Sequence, residues 1–167
     1  MFEHPDFIVE AAVDGLRVVR LNRPDKLNAQ TIHSMKAFQG LIDMIKDDAA
    51  TRVVVLAAEG RGFCAGLELN DALAGVDNAE ASVTDYYRLQ ETFAGVVQKL
   101  RALDKPVVAA VNGAAVGAGF ALSLAADIRV ASSRAAFHVG AIKIGLSAGE
   151  CGISYHLPRI IGAARAF

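Results

Sequence analysis

The stretch Lys105–Asp127, KPVVAAVNGAAVGAGFALSLAAD, decides how the rest of the chain is read. Val107, Val108 and Val111 are β-branched and follow Pro106, which suits the start of a buried strand, and Asn112-Gly113 then breaks the pattern. From Gly117 onward the residues favour a helix. A helix starting there would leave its first backbone N–H groups without intrahelical partners, with the positive end of the helix dipole behind them. Such an end holds an anion or a polarised carbonyl oxygen. Gly117, Ala118 and Gly119 carry little or no side chain, so a ligand oxygen could reach the backbone without a clash.

Three plainer readings compete. Pro106 to Ala126 is uncharged and long enough to span a bilayer, but its apolar content is largely Ala, and Asn112 and three glycines interrupt it. The small residues could serve only to let a helix lie close to a sheet. A nucleotide loop is disfavoured by spacing, because Gly113, Gly117 and Gly119 do not form G-x-G-x-x-G and no Gly-Lys-Ser/Thr follows.

A chain of 167 residues is most simply one domain, with a hydrophobic fraction of 53% and a formal net charge of -1. That balance gives no reason to expect a nucleic-acid or membrane partner. High Ala and Val content without Trp suits elements buried on both faces, or a chain that buries surface against copies of itself, so a homo-oligomer is expected. MFEHPDFIVE lacks the features of an export signal, and Cys64 and Cys151 form no C-x-x-C pair. Free thiols in a cytoplasmic protein are therefore expected.

Phe7–Val13 and Leu16–Leu21 read as strands joined at Asp14-Gly15. Pro24 and Asp25 mark a loop whose Lys26 could meet a phosphate. Ile32–Lys46 has a helical period, and Arg52–Ala58 reads as a buried strand. GRGFCAGLEL, Gly60–Leu69, is a second place where backbone can approach a ligand; Cys64 has no local His to activate it. Asp71–Thr84 reads as a surface loop, Asp85–Leu103 as a helix, and Asp127–Val130 and Ala135–Ile144 as short strands. GLSAG, Gly145–Gly149, matches the G-x-S-x-G nucleophile elbow, which makes a Ser hydrolase through Ser147 a rival. The only acid and His beyond Ser147 are Glu150 and His156, too near in sequence for the usual separated triad.

Taken in order, LNRPDKLNA (Leu21–Ala29), GRGFCAG (Gly60–Gly66) and KPVVAAVNGAAVGAGFALSLAADIRVAS (Lys105–Ser132) resemble the crotonase superfamily, the enoyl-CoA hydratases and isomerases. The resemblance covers essentially residues 1–167. It implies an α/β fold, a crotonase-like spiral of β-β-α turns, that binds acyl-CoA thioesters and stabilises an enolate in a backbone oxyanion hole. The matching donors are the N–H groups of Ala65 and Ala118. Lys26 and Leu27, with Ala65, Gly66, Leu67, Glu68 and Leu69, match the family's CoA-contacting region, and Gly117 lies beside the second donor. No separate cofactor or metal is implied, since coenzyme A arrives as part of the thioester substrate.

Two departures bear on activity. The two catalytic glutamates of the hydratases correspond to Ala121 and Ala141, whereas Glu150 stands where dienoyl-CoA isomerases and a CoA dehalogenase of the superfamily place an aspartate. Glu150 could equally be a helix N-terminal carboxylate with no role in catalysis. Family members also continue past the position of Phe167 with helices that close the pocket and build trimers or dimers of trimers. The resemblance thus implies an isomerase-like enzyme more than an efficient hydratase, with an inert acyl-CoA binder as the alternative.

Overall fold

The computed structural model describes residues 2–71, 82–145, 147 and 151–167. β1 (Phe7–Val13) and β2 (Leu16–Leu21) form an antiparallel hairpin, with Gly15 at φ 78° in the turn. α1 (Ile32–Asp47) follows; Thr31 and Ser34 cap it reciprocally, each side chain accepting the other's backbone N–H. β3 (Val53–Ala58), α2 (Val83–Arg101), β4 (Val107–Val111), β5 (Ala114–Val116) and α3 (Ala118–Ala125) come next. β6 (Ile128–Ala131), β7 (Ala136–His138), α4 (Ile153–Ile161) and α5 (Ala163–Ala166) complete the described elements.

β1-β2-β3-β4-β6 form one sheet, parallel from β2 onward, while β5 and β7 pair in parallel in a second. Isolated bridges Gln30↔Leu67 and Cys64↔Ala115 extend that second wall backwards along the chain. Each later turn therefore places one strand in each wall, which is the expected β-β-α spiral. α1 and α2 cover the first sheet, burying Met35, Phe38 and Leu41 from one helix and Val96 and Leu100 from the other against Val19, Leu21, Val54, Leu56 and Val107. Burial of each such side chain stabilises by about 1.5–3 kcal/mol. Lys105 fixes the far end of α1, its Nζ donating to the carbonyls of Ile45, Lys46 and Asp48 at 2.5, 3.1 and 2.7 Å.

Pro106 to Ala126 is broken into two strands and a helix, and among the described residues no helix is long and apolar enough to cross a membrane. Three expectations need correction or restriction. α2 begins at Val83 rather than Asp85, because Ser82 and Asp85 form a capping box. Of the loop expected over Asp71–Thr84, residues 72–81 lie outside the described residues. The strand expected over Ala135–Ile144 ends at His138; Gly140 at φ 70° turns the chain into a 3₁₀ turn, Ala141–Ile144.

Candidate active site

Because β2, β3 and β4 are parallel neighbours, the segments leaving their C-terminal ends run side by side, the place where open parallel sheets bind ligands. These are residues 22–31, 59–69 and 112–117. Their backbones are laced together. Phe63 and Cys64 N–H both donate to Ala114 O (3.0 and 3.1 Å), and Val116 N–H donates to Cys64 O (2.9 Å). Gln30 N–H donates to Gly66 O (2.7 Å) and Glu68 N–H to Gln30 O (2.8 Å).

Two glycines permit this proximity. A Cβ on Gly66, which sits at φ 93°, would lie 2.7 Å from Val116 O and 3.4 Å from Ala118 N. A Cβ on Gly119 would lie 2.2 Å from Cys64 O. The turn Gly60–Leu69 is therefore pressed directly on the N-terminus of α3. Gly117, at φ 51°, is the N-cap of that helix and offers no side chain to its first N–H groups. Ala121 N–H closes the first helical bond, on Gly117 O at 3.0 Å. Ala118 N–H is left with no backbone acceptor among the described residues.

The expected partner donor is not the open one. Ala65 N–H is already spent on Leu27 O at 2.9 Å. Two positions on, Gly66 O and Glu68 N–H both face Gln30, so the alternation of a bridge turns Leu67 N–H to the opposite side. Leu67 N–H has no backbone acceptor among the described residues. Sequence reasoning missed this donor, because the alternation shows only once Gln30 is known to be the neighbour.

The other expected site residues fall as follows. Lys26 ends the 3₁₀ turn Pro24–Lys26 and is exposed, while Leu27 is half-buried in the left-handed conformation (φ 50°), with its carbonyl on Ala65. Leu67 and Glu68 are half-buried and Leu69 is exposed; Leu27 meets this segment through Ala65 N–H, and Gly66 lies against Ala118 N. Ala121 is fully buried in α3 and Ala141 opens the second 3₁₀ turn; neither carries a group able to move a proton. Cys64 is no nucleophile: burial pushes its thiol up to about 12. Glu150 lies outside the described residues, and of GLSAG only Gly145 and Ser147 are described.

A large cavity, of about 750 Å³, is elsewhere. Gln98 and Arg101 of α2, Asp127, Arg129, and Tyr155 and His156 of α4 line it at the C-terminal end of α3, roughly 12 Å along the helix from Ala118. That end of the helix offers acceptors rather than donors, and Arg101 and Arg129 already take them.

Fold and geometry together define a class: a spiral α/β protein in which the Leu67 and Ala118 N–H groups, without backbone acceptors among the described residues, lie beyond the C-terminal ends of parallel strands. Comparison with known proteins narrows it, since a profile of the enoyl-CoA hydratase/isomerase family matches residues 11–167. The chain belongs to that family. It is 43% identical over 152 residues to "Probable enoyl-CoA hydratase echA12" of Mycobacterium leprae, covering 90% of this chain and 51% of that protein. It is 35% identical over 161 residues to 1,2-epoxyphenylacetyl-CoA isomerase of Escherichia coli K12, covering 96% and 60% respectively. The crystal structure of a probable enoyl-CoA hydratase/isomerase from Mycobacterium abscessus superposes with a TM-score of 0.86 at 38% identity, over 96% of this chain and 60% of that one. The chain thus spans between half and two thirds of the length of these relatives.

Proposed function

We propose that this chain carries the thioester-gripping core of an acyl-CoA enzyme, holding the thioester oxygen between the N–H groups of Leu67 and Ala118 and stabilising the enolate formed when an α-proton leaves. The observation that carries the reading is the seating of Gly66 against Ala118 N, beside the two N–H groups that no backbone carbonyl takes among the described residues. Donors held in a protein interior stabilise developing negative charge far better than donors in water, because they need no reorganisation. Coenzyme A enters with the substrate, with Lys26 and residues 66–69 beside it, and no further cofactor is required. The relatives named as hydratase and as isomerase support the thioester class without choosing between the reactions.

Isomerisation suits the residues better than hydration. Moving a double bond needs one group that takes a proton from one carbon and returns it to another, a task for Glu150. Adding water needs two, and Ala121 and Ala141 stand at those places. A turnover panel over saturated, 2-enoyl, 3-enoyl and dienoyl thioesters tests this. Conversion of 3-enoyl to 2-enoyl thioester is expected, lost by about 10²-fold or more in Glu150→Gln. Hydration at 10 to 10³ per second, on the order of a well-evolved enzyme, would contradict the reading. Thioester binding without turnover or α-proton exchange favours the inert binder, to which the two alanines also point.

The same proposal includes a cytoplasmic location and assembly with copies of itself. Ile128, Val130 and Phe137 of β6 and β7, with Ile142, are exposed large apolar side chains and support self-association. Sedimentation of the chain as a concentration-independent monomer would remove that part.

A further inference from the structure

We propose that Asn28 and Cys64 are positioning residues that set the spacing between the two backbone donors, an inference that rests on the oxyanion reading above. Asn28 is fully buried, in the left-handed conformation at φ 56°. Its Oδ1 accepts from Arg23 N–H (2.8 Å), and its Nδ2 donates to the carbonyls of Glu59 (2.9 Å) and Gly62 (3.0 Å). One side chain therefore ties the loop after β2 to the start of the Gly60–Leu69 turn. Its own carbonyl accepts from Gln30 Nε2 (2.8 Å) and from the Cys64 thiol (3.1 Å).

From Cys64 the connection divides toward both donors. Sγ accepts from Gly66 N–H at 3.4 Å, one residue before Leu67. The Cys64 carbonyl accepts from Val116 N–H at 2.9 Å, two residues before Ala118, and lies against Gly119. Cys64 is thus the residue whose side chain holds one donor segment and whose backbone holds the other. A thiol suits the place: it fits a fully buried apolar pocket as a small hydrophobe, yet bridges a carbonyl and an N–H with weak, long bonds. Misplacing reacting groups by about 1 Å costs on the order of 10²-fold in rate, so a partial shift matters without unfolding anything.

The test is Cys64→Ala and Cys64→Ser in the full chain. Alanine keeps a small buried residue but removes both sulfur bonds, and serine restores a donor and an acceptor at slightly shorter reach. The expected result is a fall of about tenfold in kcat for α-proton exchange in Cys64→Ala, with KM for the thioester within about twofold and partial recovery in Cys64→Ser. Without substrate, amide exchange at residues 65–67 is expected to accelerate in Cys64→Ala and to slow again in Cys64→Ser. Equal kcat in wild type and Cys64→Ala, or a kcat that falls only in step with melting temperature and is not rescued by serine, overturns the inference. A wild-type chain that binds no thioester overturns the oxyanion reading, and the inference with it. Unchanged amide exchange in Cys64→Ala overturns the positioning role alone.

Discussion

The two ends of α3 are built to opposite specifications. At its C-terminus, Arg129 donates to the carbonyls of Ser123 (3.3 Å) and Ala126 (2.6 Å), and Arg101 to that of Ala125 (3.4 Å) while pairing with Asp127 at 3.1 Å. Acceptors that the helix cannot satisfy itself are closed off by cations, the arrangement that the helix dipole favours. At its N-terminus, Gly117 supplies no cap, no charged side chain lies between Gly113 and Ala126, and the backbone of Gly66 sits against Ala118. A helix this short, eight residues with seven buried, needs both ends satisfied to lie inside a protein. The difference teaches that the closed end is satisfied within the chain, while the open end keeps a donor that the proposed function uses for the thioester oxygen.

Substitutions at the open end should act on chemistry with little effect on folding. Ala118 is the first helical residue, where proline is tolerated because its missing N–H would have no intrahelical partner anyway. Ala118→Pro is expected to lower kcat for α-proton exchange by about 10² to 10³, as for loss of one oxyanion donor, with the circular dichroism spectrum retained. Retained activity in a folded Ala118→Pro would break the comparison, because the open end would then have no ligand to hold.

The closed end should behave in reverse. Arg129→Met keeps most of the aliphatic stem and removes the donors to Ser123, Ala126 and Asp127 carbonyls. Hydrogen bonds from charged groups contribute about 1.5–3 kcal/mol, and part of that is recovered by water at this half-buried position, so a loss of about 1–2 kcal/mol is expected in denaturant unfolding. Activity per folded molecule should hold. A selective fall in kcat with unchanged stability would show that the two ends are not separate in function.

How much of this was legible in the sequence follows the range of the interactions. β4, the break at Asn112-Gly113 and the start of α3 were readable because β-branched residues, Pro106 and clustered glycines act through their own backbone. The Thr31 and Ser82 caps are equally local, yet the sequence reading named neither, though Ser82 and Asp85 have capping-box spacing. The identity of the open donor was not local. Ala65 and Leu67 differ only in which strand neighbour each faces, and that neighbour is supplied by residues 27–30, more than 30 positions away. Ala135–Ile144 misled for a related reason: its apolar pattern continues past Gly140, but Gly140 takes a left-handed turn that no side-chain period records. Asn28, which ties these segments together, read only as a loop residue after proline.

The smallest expected effect separates the two ends by pH. The stretch from Gly113 to Ala126 contains no titratable group, whereas His156 lies in the cavity at the closed end. Burial lowers the His156 pKa below its ordinary 6.5, and the nearby Arg101 and Arg159 guanidiniums push it in the same direction. A histidine held below its unfolded value binds fewer protons folded than unfolded. Its contribution to stability is therefore fully present above pH 6.5 and is lost as pH falls from there toward the folded value. A shallow decline in melting temperature below pH 6.5 is expected, and His156→Gln should flatten it. If Leu67 and Ala118 N–H hold the thioester oxygen as proposed, thioester affinity of the folded protein should stay level over the same interval, because backbone amides do not titrate there. If His156→Gln leaves the decline unchanged, the protons enter elsewhere and the closed end is not the pH-sensitive one.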